Sequence, residues 1–257
     1  MALDPTPAAF YDDLAGDYHR IFADWDETIE RQARVTTGLL RDAGMTSGAV
    51  LDASCGIGTQ AIGLAGAGFS VTATDISRAS VERCAREAEA RGLALTTAVA
   101  DLRVLDVEGE DAFDAAVSFD NALAHLLTDE DLHAACGALR RVLRPGGVLL
   151  VSTRDYDDVL RERPSGELPR RYAAEDGECI VFQVWDWLSD DRYALRHFIM
   201  NRRRGAWAVT ERRTSCRALS RGALSDALRR AGFEDVTWRM PQATGFYQPI
   251  VTARAAT

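Results

Sequence analysis

Apolar residues follow two rhythms along this chain of 257 residues. Up to Thr153, short β-branched runs alternate with stretches whose apolar positions recur every three or four residues, as in a helix with one buried face. Residues 8–45 predict two helices. The first carries Phe10, Tyr11, Leu14 and Tyr18, the second Ile29, Ala33, Thr36, Leu39 and Leu40, with Gly44 as its stop. Residues 49–53 are a strand that runs into the loop Cys55-Gly56-Ile57-Gly58, and a helix follows through Leu64. Residues 69–74 predict a second strand, and Ser77 caps a helix over 78–91 that Gly92 ends. Residues 93–99 and 113–119 are further strands; Thr128 opens a helix to Val142, and Pro145-Gly146-Gly147 turns into a fifth strand, 148–153.

After Arg154 the pattern changes. Segments 178–187, 192–201 and 206–217 are rich in β-branched and aromatic residues with partial period-two alternation and no helix between them, which predicts an inserted antiparallel β segment. Ser220 then caps a helix to Ala231, and 236–238 and 245–254 are closing strands. Strands alternating with helices imply an α/β, Rossmann-like fold: a mostly parallel seven-stranded sheet with helices on both faces.

Chemistry concentrates at the strand ends. Gly56-Ile57-Gly58-Thr59-Gln60-Ala61 fits G-x-G-x-x-G/A, a turn that lets backbone approach a ligand closely before a helix begins. Asp52 closes the strand before the loop, Asp75 closes the next, and Asp101 closes the third. Asp75 is placed to accept from both ribose hydroxyls, Asp101 to meet the exocyclic amine of adenine. A pyrophosphate prefers amides with no carboxylate beside them, so Asp52 favours S-adenosylmethionine, which carries an ammonium, over NAD.

Composition removes several alternatives. The net charge of −9 speaks against nucleic acid, and no apolar run approaches the ~18 residues that span a membrane. The first residues show no basic segment followed by an apolar one, so a cytoplasmic location is expected. All 30 basic residues are arginine; without lysine there is no P-loop, Schiff base or Tyr-x-x-x-Lys pair. Cys55, Cys84, Cys136, Cys179 and Cys216 have neither disulfide nor zinc spacing and read as buried thiols, Cys55 drawing attention by its place in the loop. No metal is expected. The run Arg202-Arg203-Arg204, with Arg212 and Arg213, reads as a solvated strand end.

Leu51-Asp52-Ala53-Ser54-Cys55-Gly56-Ile57-Gly58 resembles the first motif of class I S-adenosylmethionine-dependent methyltransferases. Asn121-Ala122-Leu123-Ala124-His125-Leu126 and Arg154-Asp155-Tyr156-Asp157 are similar to stretches of the glycine and sarcosine N-methyltransferase group. The resemblance covers about residues 8–160. It implies that Asn121 and Arg154 hold an acceptor carboxylate, that His125 lies beside the cofactor, and that Tyr11 and Tyr18 belong to an aromatic lid. Arg31 is assigned to the cofactor's methionine carboxylate; Ser54, Ile76, Leu102 and Phe119 complete the cofactor set with Asp52, Gly56, Gly58, Asp75 and Asp101. Tyr156 points with Arg154 if strand geometry persists. The plain alternative for Arg154 is a salt bridge with Asp155 or Asp157, and for His125 a packed core histidine.

The implied organisation is a helical lid over 1–45, a cofactor-binding domain over 46–157 and 218–257, and an acceptor-side insertion over 158–217. Asp155 stands where the group has asparagine, and the insertion reproduces none of its acceptor residues, which puts glycine itself in doubt. Three readings follow: methylation of an amine or amino acid; O- or C-methylation with His125, His19 or a tyrosine as base; and a non-catalytic nucleoside-binding subunit. The partner is a small-molecule acceptor, and a homo-oligomer is compatible with the sequence.

Overall fold

A computed structural model describes residues 5–107, 109–174, 177–203 and 205–257. Strands β1 (Ala49–Asp52), β2 (Ser70–Asp75), β3 (Thr96–Val99), β4 (Phe113–Ser118) and β5 (Leu143–Ser152) are mutually parallel. Then β6 (Gly166–Ala174), β7 (Gly177–Trp187), β8 (Arg192–Arg203) and β9 (Ala206–Arg217) form a separate antiparallel sheet. Finally β10 (Phe233–Arg239) and β11 (Ile250–Ala255) return to the first sheet, whose order is β10-β11-β5-β4-β1-β2-β3. Of its seven strands only β11 runs opposite to the other six.

The helices are α1 (Pro7–Leu14), α2 (Trp25–Asp42), α3 (Thr59–Gly66), α4 (Arg78–Ala90), α5 (Asp129–Val142), α6 (Tyr156–Glu162), α7 (Arg221–Arg230) and α8 (Pro241–Thr244). Strand alternation sorts the core into two layers. Val50, Ala115, Val117 and Leu150 pack with Leu40 of α2, Leu64 of α3 and Val81 of α4. Leu51, Ala116, Leu149 and Val151 pack with Leu132 and Leu139 of α5 and Leu224 of α7. Both faces are therefore buried, which is why these strands read as continuous apolar runs.

The caps form locally. Ser77 Oγ accepts from Ser80 N at 3.1 Å, Thr128 Oγ1 from Asp131 N at 3.1 Å and Ser220 Oγ from Ala223 N at 3.2 Å. No described helix is long and apolar enough to cross a membrane. The five cysteines are free and buried, and Cys55 is no exception: the Cys84 thiol beside it and burial push its own thiol well up.

The structure differs from the sequence reading in several places. The inserted sheet has a fourth strand, β6, concealed by Pro169 and the exposed Leu168, where the pairing with β7 shifts register. A proline cannot donate to the ladder, so the strand breaks step there. Strand geometry does not persist beyond Arg154, because Tyr156 opens α6. Tyr18 lies in a 3-10 turn, Tyr18–Ile21, rather than in α1. The third strand is shorter than expected, β5 begins earlier, and the second closing strand begins only at Ile250. Arg212 is not a solvated end: it is buried, and donates to Asp13 Oδ2 at 2.7 Å and Asp17 Oδ2 at 3.0 Å. Arg202 does reach solvent and pairs with Glu178; Arg204 lies outside the described residues.

These contacts fix α1 over the carboxyl edge of the parallel sheet. Arg212 of β9 holds it from one side, and α4 holds it from the other. There Asp12 Oδ1 accepts from Ser77 Oγ at 2.7 Å and Ala79 N at 3.0 Å, and Arg83 donates to Ala15 O at 2.6 Å.

Candidate functional site

Two cavities meet beneath α1. The first, of about 620 Å³, is lined by the loop after β1 and by the ends of β2, β3 and β4. Gly56 and Gly58 both have positive φ, 50° and 104°. A side chain at Gly56 would meet only the Tyr18 ring, at 4.0 Å, so its backbone is open to the cavity; one at Gly58 would strike Cys84 Sγ at 2.8 Å. Gly58 thus serves α3–α4 packing, while Gly56 allows a ligand to approach.

Asp75 lies on the wall of this cavity. Its Oδ2 accepts from Gly56 N and its Oδ1 from Ser77 N, each at 2.9 Å. Burial pushes its carboxyl up, and those two amides pull it back. No arginine or histidine ion pair reaches Asp75 among the described residues, so its outer lone pairs face the cavity unpaired by charge. Ser54, Ile76, Leu102 and Phe119 line the same space. Asp101 does too, but Arg103 grips it, donating from Nε at 3.0 Å and Nη2 at 2.6 Å; this holds the carboxyl below its ordinary range.

The second cavity, of about 740 Å³, lies between α1, the end of β5, the inserted sheet and the loop around Tyr247. Arg154 is part of its wall. It donates to Glu167 Oε1 from Nε at 3.1 Å and Nη2 at 2.7 Å, and from Nη2 to Gln183 Oε1 at 3.0 Å. Its guanidinium lies 5.0 Å from the Trp185 ring centre, a cation–π contact. The salt bridge is therefore with Glu167, not with Asp155 or Asp157, both of which pair with Arg221. Arg221, shared with Asp157, thus offsets part of the extra negative charge of Asp155. No described contact engages Nη1 of Arg154, which leaves one edge of the fork for a ligand.

Four lining side chains are common to both cavities: Tyr11, Tyr18, Asp120 and His125. Tyr11 Oη and His125 Nε2 share a hydrogen bond of 2.9 Å, and the rings meet edge to face. Burial pushes the imidazole down to about 4, so His125 is neutral near pH 7. Asp120 and Asn121 both have positive φ, 56° and 72°, held by Ser152, whose Oγ accepts from Asp120 N at 2.8 Å. Backbone conformations of this kind cost ~1–3 kcal/mol each and gather at functional sites.

Of the residues singled out from the sequence, Tyr11, Tyr18, Ser54, Gly56, Asp75, Ile76, Asp101, Leu102 and Phe119 line the first cavity, and Asn121, His125 and Arg154 the second. Arg31, assigned to the cofactor, instead faces the second cavity. Asp52, Gly58 and Tyr156 line neither. Asp52 is fully buried behind the loop; its Oδ1 accepts from Ser54 N, its Oδ2 has no partner, and burial pushes its carboxyl up to about 8. Tyr156 is also fully buried; its hydroxyl accepts from Asn121 Nδ2 at 2.9 Å and bonds Tyr193 Oη at 2.9 Å, so it positions Asn121. His19, considered as a base, lines neither cavity. Sequence reasoning missed Asp120, Glu167, Gln183, His197 and Tyr247. Only Asp120, at the end of β4, carried a signal, since the first three strands of the sheet also end in acids.

A family model described as a methyltransferase domain matches residues 50–147, which hold the whole lining of the first cavity except the part contributed between Thr6 and Tyr18. Glycine/sarcosine N-methyltransferase of Parasynechococcus marenigrum is 33% identical over 193 residues, covering 72% of this chain and 66% of that protein. The chain belongs to the class I S-adenosylmethionine-dependent methyltransferases. Glycine N-methyltransferase of Rattus norvegicus is 37% identical over 134 residues, covering 48% of this chain and 45% of the rat protein. Thus the aligned stretch spans just under two thirds of the first relative's length, and less than half of the second's. Among solved structures, an amino pentose methyltransferase from Micromonospora echinaspora with S-adenosylmethionine bound has the same fold, at a TM-score of 0.77 and 17% identity over 94% of this chain and 95% of that one. The methyltransferase cofactor is S-adenosylmethionine, and the first cavity suits it: an exposed glycine backbone, a carboxylate with no cationic partner, and apolar walls for a purine.

Proposed function

We propose that the protein transfers the methyl group of S-adenosylmethionine to the nitrogen of a metabolite-sized amine that also carries a carboxylate. The observation that carries this reading is the meeting of two cavities at one point, with Arg154 projecting into the second. Bound in the first cavity, S-adenosylmethionine would supply a methyl group made electrophilic by its sulfonium. Asp75 would accept from the ribose hydroxyls, Ile76, Leu102, Phe119 and Asp101 would border the adenine, and Ser54 and Gly56 would meet the methionine end. The free edge of Arg154, with Asn121 beside it, would grip the acceptor's carboxylate. Tyr11, Tyr18 and His125 would surround the transferred group and keep water out; holding the reactants in line contributes up to ~7–11 kcal/mol in the best intramolecular cases.

The relatives named for glycine and sarcosine support an amine acceptor. The cavity of about 740 Å³ supports a larger one than glycine, since pockets of roughly 300–1,000 Å³ take drug-sized ligands. O- or C-methylation would need a base, and His125 is a weak one whose Nε2 is engaged by Tyr11. Incubation with isotope-labelled S-adenosylmethionine and panels of amino acids, amino sugars and phenols tests the reading. Label is expected on an amine nitrogen; label on a phenol or carbon only would refute it.

A further inference from the structure

Among the described residues that line both cavities, Asp120 is the sole carboxylate. Its Oδ1 accepts from Tyr247 Oη at 2.7 Å and its Oδ2 from Gln60 Nε2 at 3.3 Å. Gln60 is itself oriented by Gln32 of α2. Both donors are neutral, and no described ion pair reaches Asp120. Each of the neighbouring acids Asp101, Asp155 and Glu167 has an arginine. Meanwhile the backbone is held at positive φ, a conformation that aspartate tolerates better than most residues. A carboxylate kept in such a place without a cation fits a ligand that brings one.

Resting on the reading of the acceptor as an amine, we propose that Asp120 holds the acceptor nitrogen as an ammonium and takes its proton before methyl transfer. The N–H bond breaks, the proton passes to a carboxylate oxygen of Asp120, and the lone pair stays on nitrogen. That pair then forms the N–C bond as the C–S bond breaks, its electrons remaining on sulfur. The product leaves as a methylated ammonium, and Asp120 returns its proton to water. Of the other shared side chains, His125 is pushed down to about 4 by burial and its Nε2 is engaged by Tyr11, while burial raises both tyrosine hydroxyls. Burial raises the Asp120 carboxyl against the opposing pull of Tyr247, Gln60 and Arg154; Tyr18 and Asp52 also feel its charge.

The test uses binding. Sinefungin carries a primary amine on carbon where the cofactor has its methylated sulfur; S-adenosylhomocysteine lacks any group there. By calorimetry at pH 7, the wild-type protein is expected to prefer sinefungin by about tenfold or more, as for a hydrogen bond to an ionised partner. The preference should vanish in Asp120→Asn and Asp120→Gly, both compatible with a positive φ, while thermal unfolding and S-adenosylhomocysteine affinity change little. It should also fall in the wild type as the pH drops and Asp120 protonates. A preference unchanged in both variants overturns the role of Asp120 and leaves the methyltransferase reading standing. Binding of neither nucleoside to the wild type overturns both.

Discussion

Asp52 offers a test of the site's electrostatics that needs no ligand. Its carboxyl is fully buried, with Oδ2 unpartnered, and rises from an ordinary 3.8 to about 8. At 1.36 kcal/mol per pKa unit, ionising it within the fold costs ~6 kcal/mol relative to the unfolded chain. Between pH 4 and 8 the folded protein keeps this proton and the unfolded chain has released it. The folded state therefore binds more protons, and stability falls as pH rises through this window, levelling off above about 8. Asp52→Asn removes the titration. Its amide Nδ2 then occupies the unpartnered site, a penalty of ~1–3 kcal/mol, so the ligand-free variant is less stable than wild type near pH 4. Near pH 8 it is more stable, and the difference shifts by up to ~1.4 kcal/mol per pH unit between. Asp75, Asp120 and His125 titrate in both proteins, so the comparison reads Asp52 together with its charge coupling to Asp75 and Asp120. Urea unfolding of both proteins at pH 4, 5, 6, 7 and 8 reads the difference directly. Parallel stability curves would refute the argument, since they would mean that Asp52 is ionised in the fold at no cost.

Asp75→Ala removes the ionised acceptor of the ribose and the anchor of Gly56 N and Ser77 N; S-adenosylhomocysteine binding should weaken by ~1.5–3 kcal/mol in calorimetry. Arg154→Ala should raise the KM of a carboxylate-bearing acceptor by ~2–5 kcal/mol in free-energy terms while nucleoside affinity stays within about twofold. Arg154→Lys should not restore it, because the fork that spans Glu167 and Gln183 is lost. Arg212→Ala should free the cover over the site, so that protease cleaves faster between residues 10 and 25; added S-adenosylhomocysteine should slow cleavage in the wild type. Equal cleavage of all these samples would count against a ligand-closed cover.

The local chemistry of the chain was legible from the residues alone. Ser77, Thr128 and Ser220 cap their helices because an N-cap hydroxyl needs only the amides of its own first turn. The alternation of strands and helices through Thr153 settled the parallel sheet, because a strand buried on both faces must be apolar along its length. Asp75 and Asp101 could be placed on one wall because parallel strands all end at the same edge. The family motif, too, lies within one strand, one turn and one helix.

What the tertiary structure decided depends on residues far apart in sequence. Arg154 meets Glu167 and Gln183 only because β6 and β7 pair in a register that a bulge at Pro169 shifts, and no local pattern encodes that shift. Asp52 and Asp75 look alike in sequence, as acids closing neighbouring strands. One is sealed behind the glycine loop and pushed up to about 8, while the other faces the cavity. Tyr156 turned away from the site because α6 begins one residue after Asp155, where two carboxylates find Arg221 across the fold. Asp120 gained its place from Tyr247, brought over by the loop before β11, and from Gln60 on α3. Periodicity and capping are properties of consecutive residues, whereas the charge a buried group can keep depends on which distant partners the fold delivers to it.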